Sequence, residues 1–253
     1  IGGDTAYDMN KRLDGDIFSK NPTVLMVTFG MNDSGYYEYN GDNAKEFGEQ
    51  KYQESIKNFQ QMEKRFKELP HTRIVMTGTS PYDETAQIKD NTVFKKKNET
   101  IKRIIEYQRE SAARNGWEFT DWNAPMVAIN QELQQKDPSF TLCGNDRIHP
   151  DNDGHMVMAY LFLKAQGFAG KDVANMEINA NKKQAVKAEG CTISNIKKIG
   201  KDISFDYLAE ALPYPLDTIA RGWGSKKSQA EVIKEVPFME EMNRETLKVT
   251  GLK

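Results

Sequence analysis

Apolar positions in the first two thirds of the chain switch between two periods. "PTVLMVTFGMND" (22–33) carries an apolar run over Val24–Phe29, closed by Gly30 and the turn-forming pair Asn32 and Asp33, which predicts a strand. A run of this kind suits a parallel strand covered on both faces. Helical spacing follows: Ile56, Phe59, Met62, Phe66 and Leu69 recur every three or four residues until Pro70, lining one side of a helix. "RIVMTGTSP" (73–81) predicts a second strand. Across 98–115 the helical period returns through Ile101, Ile104, Ile105, Gln108 and Ala112, with Gly116 placed to cap the C-terminus, and "WEFTDW" (117–122) alternates as a third strand. Strands and helices taking turns predict an α/β domain on a parallel sheet with right-handed crossovers. In such sheets ligands gather beyond the carboxyl ends of the strands, where "GMND" stands.

After Gly170 the pattern changes. "KDVANMEIN", "CTISNIKKIG" and "DISFDYLAEALPYP" are short alternating segments, "SKKSQAEVIKEV" is polar with helical character, and "ETLKVTG" (245–251) reads as a last strand. Two units are therefore expected, an α/β domain over 1–170 and a small β-rich accessory region over 171–253.

Composition narrows the partners. Among 253 residues, 35 basic and 37 acidic side chains leave a formal charge of −2. Without a basic footprint, no nucleic-acid partner is expected. The most apolar helical stretch, "HMVMAYLFLKAQGF" (155–168), is interrupted by Lys164 and falls short of the roughly 20 apolar residues that cross a bilayer, so no membrane insertion is expected. Cys143 and Cys191 could pair or stay free, with two unpaired thiols the preferred reading. The chain opens on Ile1 with neither the basic nor the apolar segment of a signal peptide, and is expected to be the interior of a longer polypeptide.

Candidate chemistry centres on "DRIHP" (146–150), which holds one of the three histidines. An imidazole that moves protons needs a partner to fix its tautomer, and Asp146 stands three residues ahead of His149. Each motif also has a plain structural reading: "GMND" as a turn and helix cap, Asp-x-x-His as a surface ion pair, Gly3 as a left-handed turn. "HPDNDGH" offers His149, Asp151, Asp153 and His155 as metal-ligand types. Aligned to a calcium loop with Gly154 at its sixth position, it puts His149 first and Tyr160 twelfth, where acidic ligands belong. No metal and no cofactor are expected.

Taken in order, "GGDTAYDMNKRLD", "GMND" and "DRIHP" resemble three of the four short blocks of the SGNH, or GDSL-type, hydrolase superfamily of esterases and lipases. The resemblance covers roughly residues 1–168 and includes the helix after the histidine. It implies a flavodoxin-like parallel sheet between helices, with His149 as base, Asp146 as its orienter, and the Gly3 N–H and Asn32 side-chain amide as oxyanion donors. The fourth block, a GDS motif with the nucleophilic serine, does not occur in the sequence. Ser34 and Ser80 do not sit in a strand-turn-helix setting that fits the family's order of blocks. The serine is therefore expected from an upstream segment of the same polypeptide, together with a first strand that would lie beside "VLMVTF" in the family's 2-1-3-4-5 sheet. Tyr36 and Tyr37, close after "GMND" and followed by Tyr39, are expected to meet substrate. With polar loops and no apolar lid, the substrate expected is a glycan or other small-molecule ester, deacylated at an acetyl or similar group. A lipase, lysophospholipase or thioesterase, or a non-catalytic glycan-binding relative, are the alternatives. Likeness to exported bacterial glycan esterases implies a secreted or periplasmic location.

Overall fold

A computed structural model describes residues 1–89 and 92–252 of the chain. Its centre is a three-stranded parallel sheet, in spatial order β1 (Val24–Phe29), β2 (Arg73–Gly78) and β3 (Glu118–Asp121). The strands sit where the apolar runs predict them. Leu25 pairs with Ile74, Val27 with Met76, and Met76 in turn with Phe119.

Helices α1 (Ala6–Asp16), α2 (Ala44–Phe66) and α3 (Lys97–Asn115) close one core against this sheet. Leu25, Val27 and Phe29 from β1 and Ile74 and Met76 from β2 meet Leu13, Phe59, Met62, Phe66, Ile104 and Ala112 there. The apolar stripes at helical spacing are the faces that point inward. Gly116 ends α3 at φ +67, a left-handed cap that glycine adopts without a Cβ penalty. A second core forms around α4 (Asn123–Gln134) and α5 (Asn152–Ala165), where Trp122, Met126, Ile129, Leu133 and Val157 meet Phe140 and Leu142.

The expected two-sided cover of β1 is corrected. Its burial alternates: Leu25, Val27 and Phe29 are core, but Val24 and Met26 on the opposite face are 51% and 47% exposed. The reason is topological, since β1 is the edge of the sheet and no described element lies over its outer face. A bare apolar edge of this kind invites pairing with another chain segment.

Beyond Gly170 the chain forms β4 (Ala174–Asn179), β5 (Gln184–Glu189), β6 (Cys191–Ile199), β7 (Asp202–Ala209), the short helices α6 (Gln229–Val232) and α7 (Phe238–Met242), and β8 (Glu245–Thr250). β4 lies between β5 and β8, while β6 and β7 make an antiparallel hairpin. Lys253, where the expected accessory region ends, lies outside the described residues. The stretch 212–243 returns to the α/β domain. Val232 joins the α4–α5 core, and Ile233 and Phe238 pack on Met156 and Tyr160 of α5. Tyr160 adds an O–H bond to Glu241 at 2.8 Å. This return path carries the loop before α6 toward His149. Both cysteines are buried and unpaired, and burial pushes the Cys143 thiol far up from its ordinary range.

Candidate active site

β1 ends at Phe29, and the tight turn that follows presents Asn32 at its carboxyl end. Asp33 builds that turn. It is buried, and its Oδ2 accepts the Gly30 N–H at 3.1 Å while its Oδ1 accepts the Ala6 N–H and the Ser55 hydroxyl, each at 3.0 Å. One carboxylate thus joins the end of β1, the start of α1 and the middle of α2. Burial pushes its pKa up, and the donated bonds oppose that shift.

Asn32 is fixed at both ends of its amide. Nδ2 donates to the Asp4 carbonyl at 3.0 Å, and Oδ1 accepts the Tyr36 hydroxyl at 2.6 Å. An amide nitrogen has two hydrogens, so the Asp4 bond leaves one to give. The same bond ties the Gly3 turn to this loop. Gly3 stands at φ +84 in a turn closed by the Asp4 N–H to Ile1, and its own N–H meets no acceptor among the described residues. A cavity of about 310 Å³ opens here, lined in part by Asp4, Thr28, Gly30, Asn32 and Thr79.

Lys97, at the start of α3, supports the loop from below. It is fully buried, and its ammonium donates to the carbonyls of Met31 and Gly35 at 2.7 and 2.6 Å and to the Ser34 hydroxyl at 2.6 Å. Burial pushes it down to about 7, with Asp33 and Glu84 pulling the other way. Ser34 also donates to Met31, so its hydroxyl is committed inside the loop.

The second half of the site is the loop between α4 and α5. His149 Nδ1 lies 2.6 Å from Asp146 Oδ2, and Asp146 Oδ1 accepts the backbone N–H groups of Ile148 and His149 at 3.0 Å each. Burial opposes, but the His149 side chain and these two N–H groups together hold the Asp146 carboxyl below its ordinary value. Arg147 anchors the loop from inside: it is buried, at φ +69, and its Nη1 donates to the carbonyls of Asp83 and Ala86 at 3.0 and 2.7 Å. The imidazole itself is 65% exposed, and its Nε2 meets no partner among the described residues.

Both halves rest on one apolar cluster. Met31 and Tyr36 from the Asn32 loop, and Ile148 from the histidine loop, pack against Tyr82 and Phe94. Burial pushes the Tyr36 phenol up to about 12, with the charges of Asp146 and Asp33 adding to the effect. Asp146, His149, Asn32 and the Gly3 turn therefore lie at the same end of the sheet. Tyr36 is spent on Asn32, whereas Tyr37 is 79% exposed with one edge on Phe94, 5.4 Å between ring centroids. Tyr39 is buried and donates to the Ser34 carbonyl, so it faces away from the opening. Among the described residues no three His, Cys, Asp or Glu side chains gather to hold a metal.

A strap around residues 221–224 completes the surroundings. The backbone N–H groups of Trp223 and Gly224 donate to the two oxygens of Asp151 at 2.9 Å each, and Asn145 donates its side-chain amide to the Trp223 carbonyl. The Trp223 ring stands edge-on to His149, with centroids 5.9 Å apart. Nothing in the local sequence around Trp223 marks it, and Asp33 and Lys97 were equally silent. Asp33 reads as half of a turn pair, and Lys97 as one of a run of solvated lysines.

Asp153 sits just inside this junction, fully buried, with Oδ2 lacking a partner. Burial pushes its carboxyl up to about 6, against the Gly154 N–H and the nearby Ser225 hydroxyl. A folded-state pKa raised above the ordinary 3.8 favours the protonated form, so the stabilisation is complete below about pH 4 and is lost as pH rises through about 6. Denaturant unfolding of wild type and Asp153→Asn across that interval is expected to show the wild type losing stability relative to the variant. Parallel curves would remove Asp153 as the cause.

Residues 1–157 match the GDSL-like lipase/acylhydrolase family. Among solved structures, a gut microbial diltiazem-metabolizing enzyme is 97% identical with a TM-score of 0.89, over 99% of this chain and 57% of that one. The chain thus spans little more than half the length of that enzyme. Axe2, an acetylxylan esterase from Geobacillus stearothermophilus, is 22% identical with a TM-score of 0.50, over 66% of this chain and 69% of its own. Its catalytic mutants alter one serine, one aspartate and one histidine, the last two three positions apart. No curated protein matches. With the family matched over more than half of the chain and the parallel sheet in place, the protein belongs to the GDSL-like lipase/acylhydrolase family.

Proposed function

We propose that the protein is a serine ester hydrolase that removes acetyl or other small acyl groups, with this chain supplying the base, its orienting carboxylate and the oxyanion donors. The observation that carries this reading is the Asp146–His149 pair at 2.6 Å, on a loop packed against the same cluster as the Asn32 loop. Asp146 holds the proton on Nδ1, which leaves Nε2 to take one from an attacking hydroxyl and return it to the departing alcohol. The Gly3 N–H and the remaining Asn32 hydrogen then meet the oxyanion of the tetrahedral intermediate.

The nucleophilic serine is assigned to residues outside the 253. Ser34 is spent within its loop, Ser80 is buried, and β1 presents an uncovered apolar face beside the site. The chain's 57% share of the similar gut microbial enzyme supports the same reading. The three-residue separation of aspartate and histidine in the acetylxylan esterase, which Asp146 and His149 reproduce, supports the pairing of base and orienting carboxylate. Diltiazem and acetylated xylan, the compounds named for the two relatives, each carry an acetate ester on a secondary ring carbon. We assign that bond to this site, with a carbohydrate ester as the substrate class and export from the cell as the setting.

The test is to treat the full-length protein with a fluorophosphonate, map the labelled serine, and follow acetate release from acetylated xyloside and diltiazem. Expected are label on a serine beyond these residues and release that the label abolishes. Label on Ser34 or Ser80, or undiminished release after labelling, would overturn the assignment.

A further inference from the structure

Trp223 is 73% exposed, an unusual position for the largest apolar side chain, and it stands beside the imidazole proposed as the base. The strap that presents it is built, and at residues 221–224 main-chain groups fasten it to the histidine loop and to α5, with Asp217 adding a side-chain bond to Asn152. The N–H groups of Trp223 and Gly224 fill both oxygens of Asp151, the Trp223 carbonyl takes the Asn145 amide, and the Arg221 carbonyl accepts the Asn152 N–H at 3.3 Å. Asn145 and Asp151 flank the Asp146–His149 loop on either side, so the strap is registered to the base itself.

The flanking glycines make that approach possible. Gly222 is at φ +128, and a Cβ there would fall on the Asp151 carboxylate; one at Gly224 would fall on the Asn145 side chain. Asp151 is also the residue at the N-cap of α5, yet it spends its carboxylate on the strap and makes no side-chain cap bond to its own helix. The fold thus commits two glycines and a helix-capping carboxylate to hold this turn. The indole is not needed for any of those bonds and remains open to solvent.

We propose that Trp223 is a specificity-determining platform on which the alcohol portion of the substrate stacks, and that this portion is a ring. The proposal rests on the esterase reading. Indole offers a flat, rigid, polarisable face with few rotamers to lose, which suits the C–H face of a sugar or an aromatic ring equally. A ring lying on Trp223 would bring its ester oxygen toward Nε2 of His149, which returns the proton to the leaving alcohol. A small acyl ester of a short aliphatic alcohol would not reach the indole.

The experiment compares full-length wild type, Trp223→Ala and Trp223→Phe on acetylated methyl xyloside, diltiazem and ethyl acetate. For Trp223→Ala, KM is expected to rise about tenfold on one or both ring-bearing esters with kcat nearly unchanged. Ethyl acetate should be hydrolysed as before, and Trp223→Phe should recover most of the loss. A rise confined to the xyloside identifies a sugar ring, and one confined to diltiazem an aromatic ring. Unchanged KM on both ring esters, or an equal loss on ethyl acetate, would overturn the platform role, the latter because it would mark Trp223 as a mere support for His149. Failure of the wild type on all three esters would instead sink the esterase reading.

Discussion

Full-length protein carrying His149→Ala is expected to lose about 10⁴-fold or more in kcat while its unfolding midpoint barely moves. The imidazole is 65% exposed and joins no buried cluster, so its removal costs little packing. Asp146 keeps two backbone N–H bonds after the change, which holds the loop in place. What disappears is the group proposed to accept and return the proton. Initial rates of acetate release from acetylated xyloside, alongside thermal unfolding, check this. Retention of more than about one hundredth of the activity would mean that another base serves the nucleophile.

Asn32→Asp is expected to lower kcat by about 10²- to 10³-fold, or about 3–4 kcal/mol in the barrier, with a smaller change in KM. Aspartate has the shape of asparagine and can still accept the Tyr36 hydroxyl, so the loop keeps that attachment. It cannot donate, so both the hydrogen proposed for the oxyanion and the bond to the Asp4 carbonyl are lost. A negative charge is also placed where the proposed reaction develops one. Turnover measured together with the unfolding transition separates a chemical defect from a folding one. Wild-type kcat in a folded variant would take Asn32 out of the reaction.

The elements that sequence reading found are those in which one side chain's local spacing decides its fate. The stripes on α2 and α3, the runs of β1 to β3 and the cap at Gly116 all needed only near neighbours. Asn32, Asp146 and His149 stand out as candidates because each sits in a short motif whose order resembles that of known hydrolases. What stayed hidden depends on distant partners. Val24 and Met26 look like core and are half exposed, because the neighbour that decides burial is not adjacent in sequence. Lys97 looks like a solvated charge but fills a buried socket of carbonyls supplied by the Asn32 loop. Trp223 reaches His149 only because residues 212–243 fold back over α5, a path with no signature in the residues near the histidine.

The way the Gly222–Gly224 turn is fastened has an evolutionary corollary. Because peptide groups do the fastening, the identity of the side chain at 223 is uncoupled from foldability. Under the proposed platform role, exchange of that one residue would redirect the site to new esters without disturbing Asn32, Asp146 or His149, which makes this position a natural starting point for retargeting libraries.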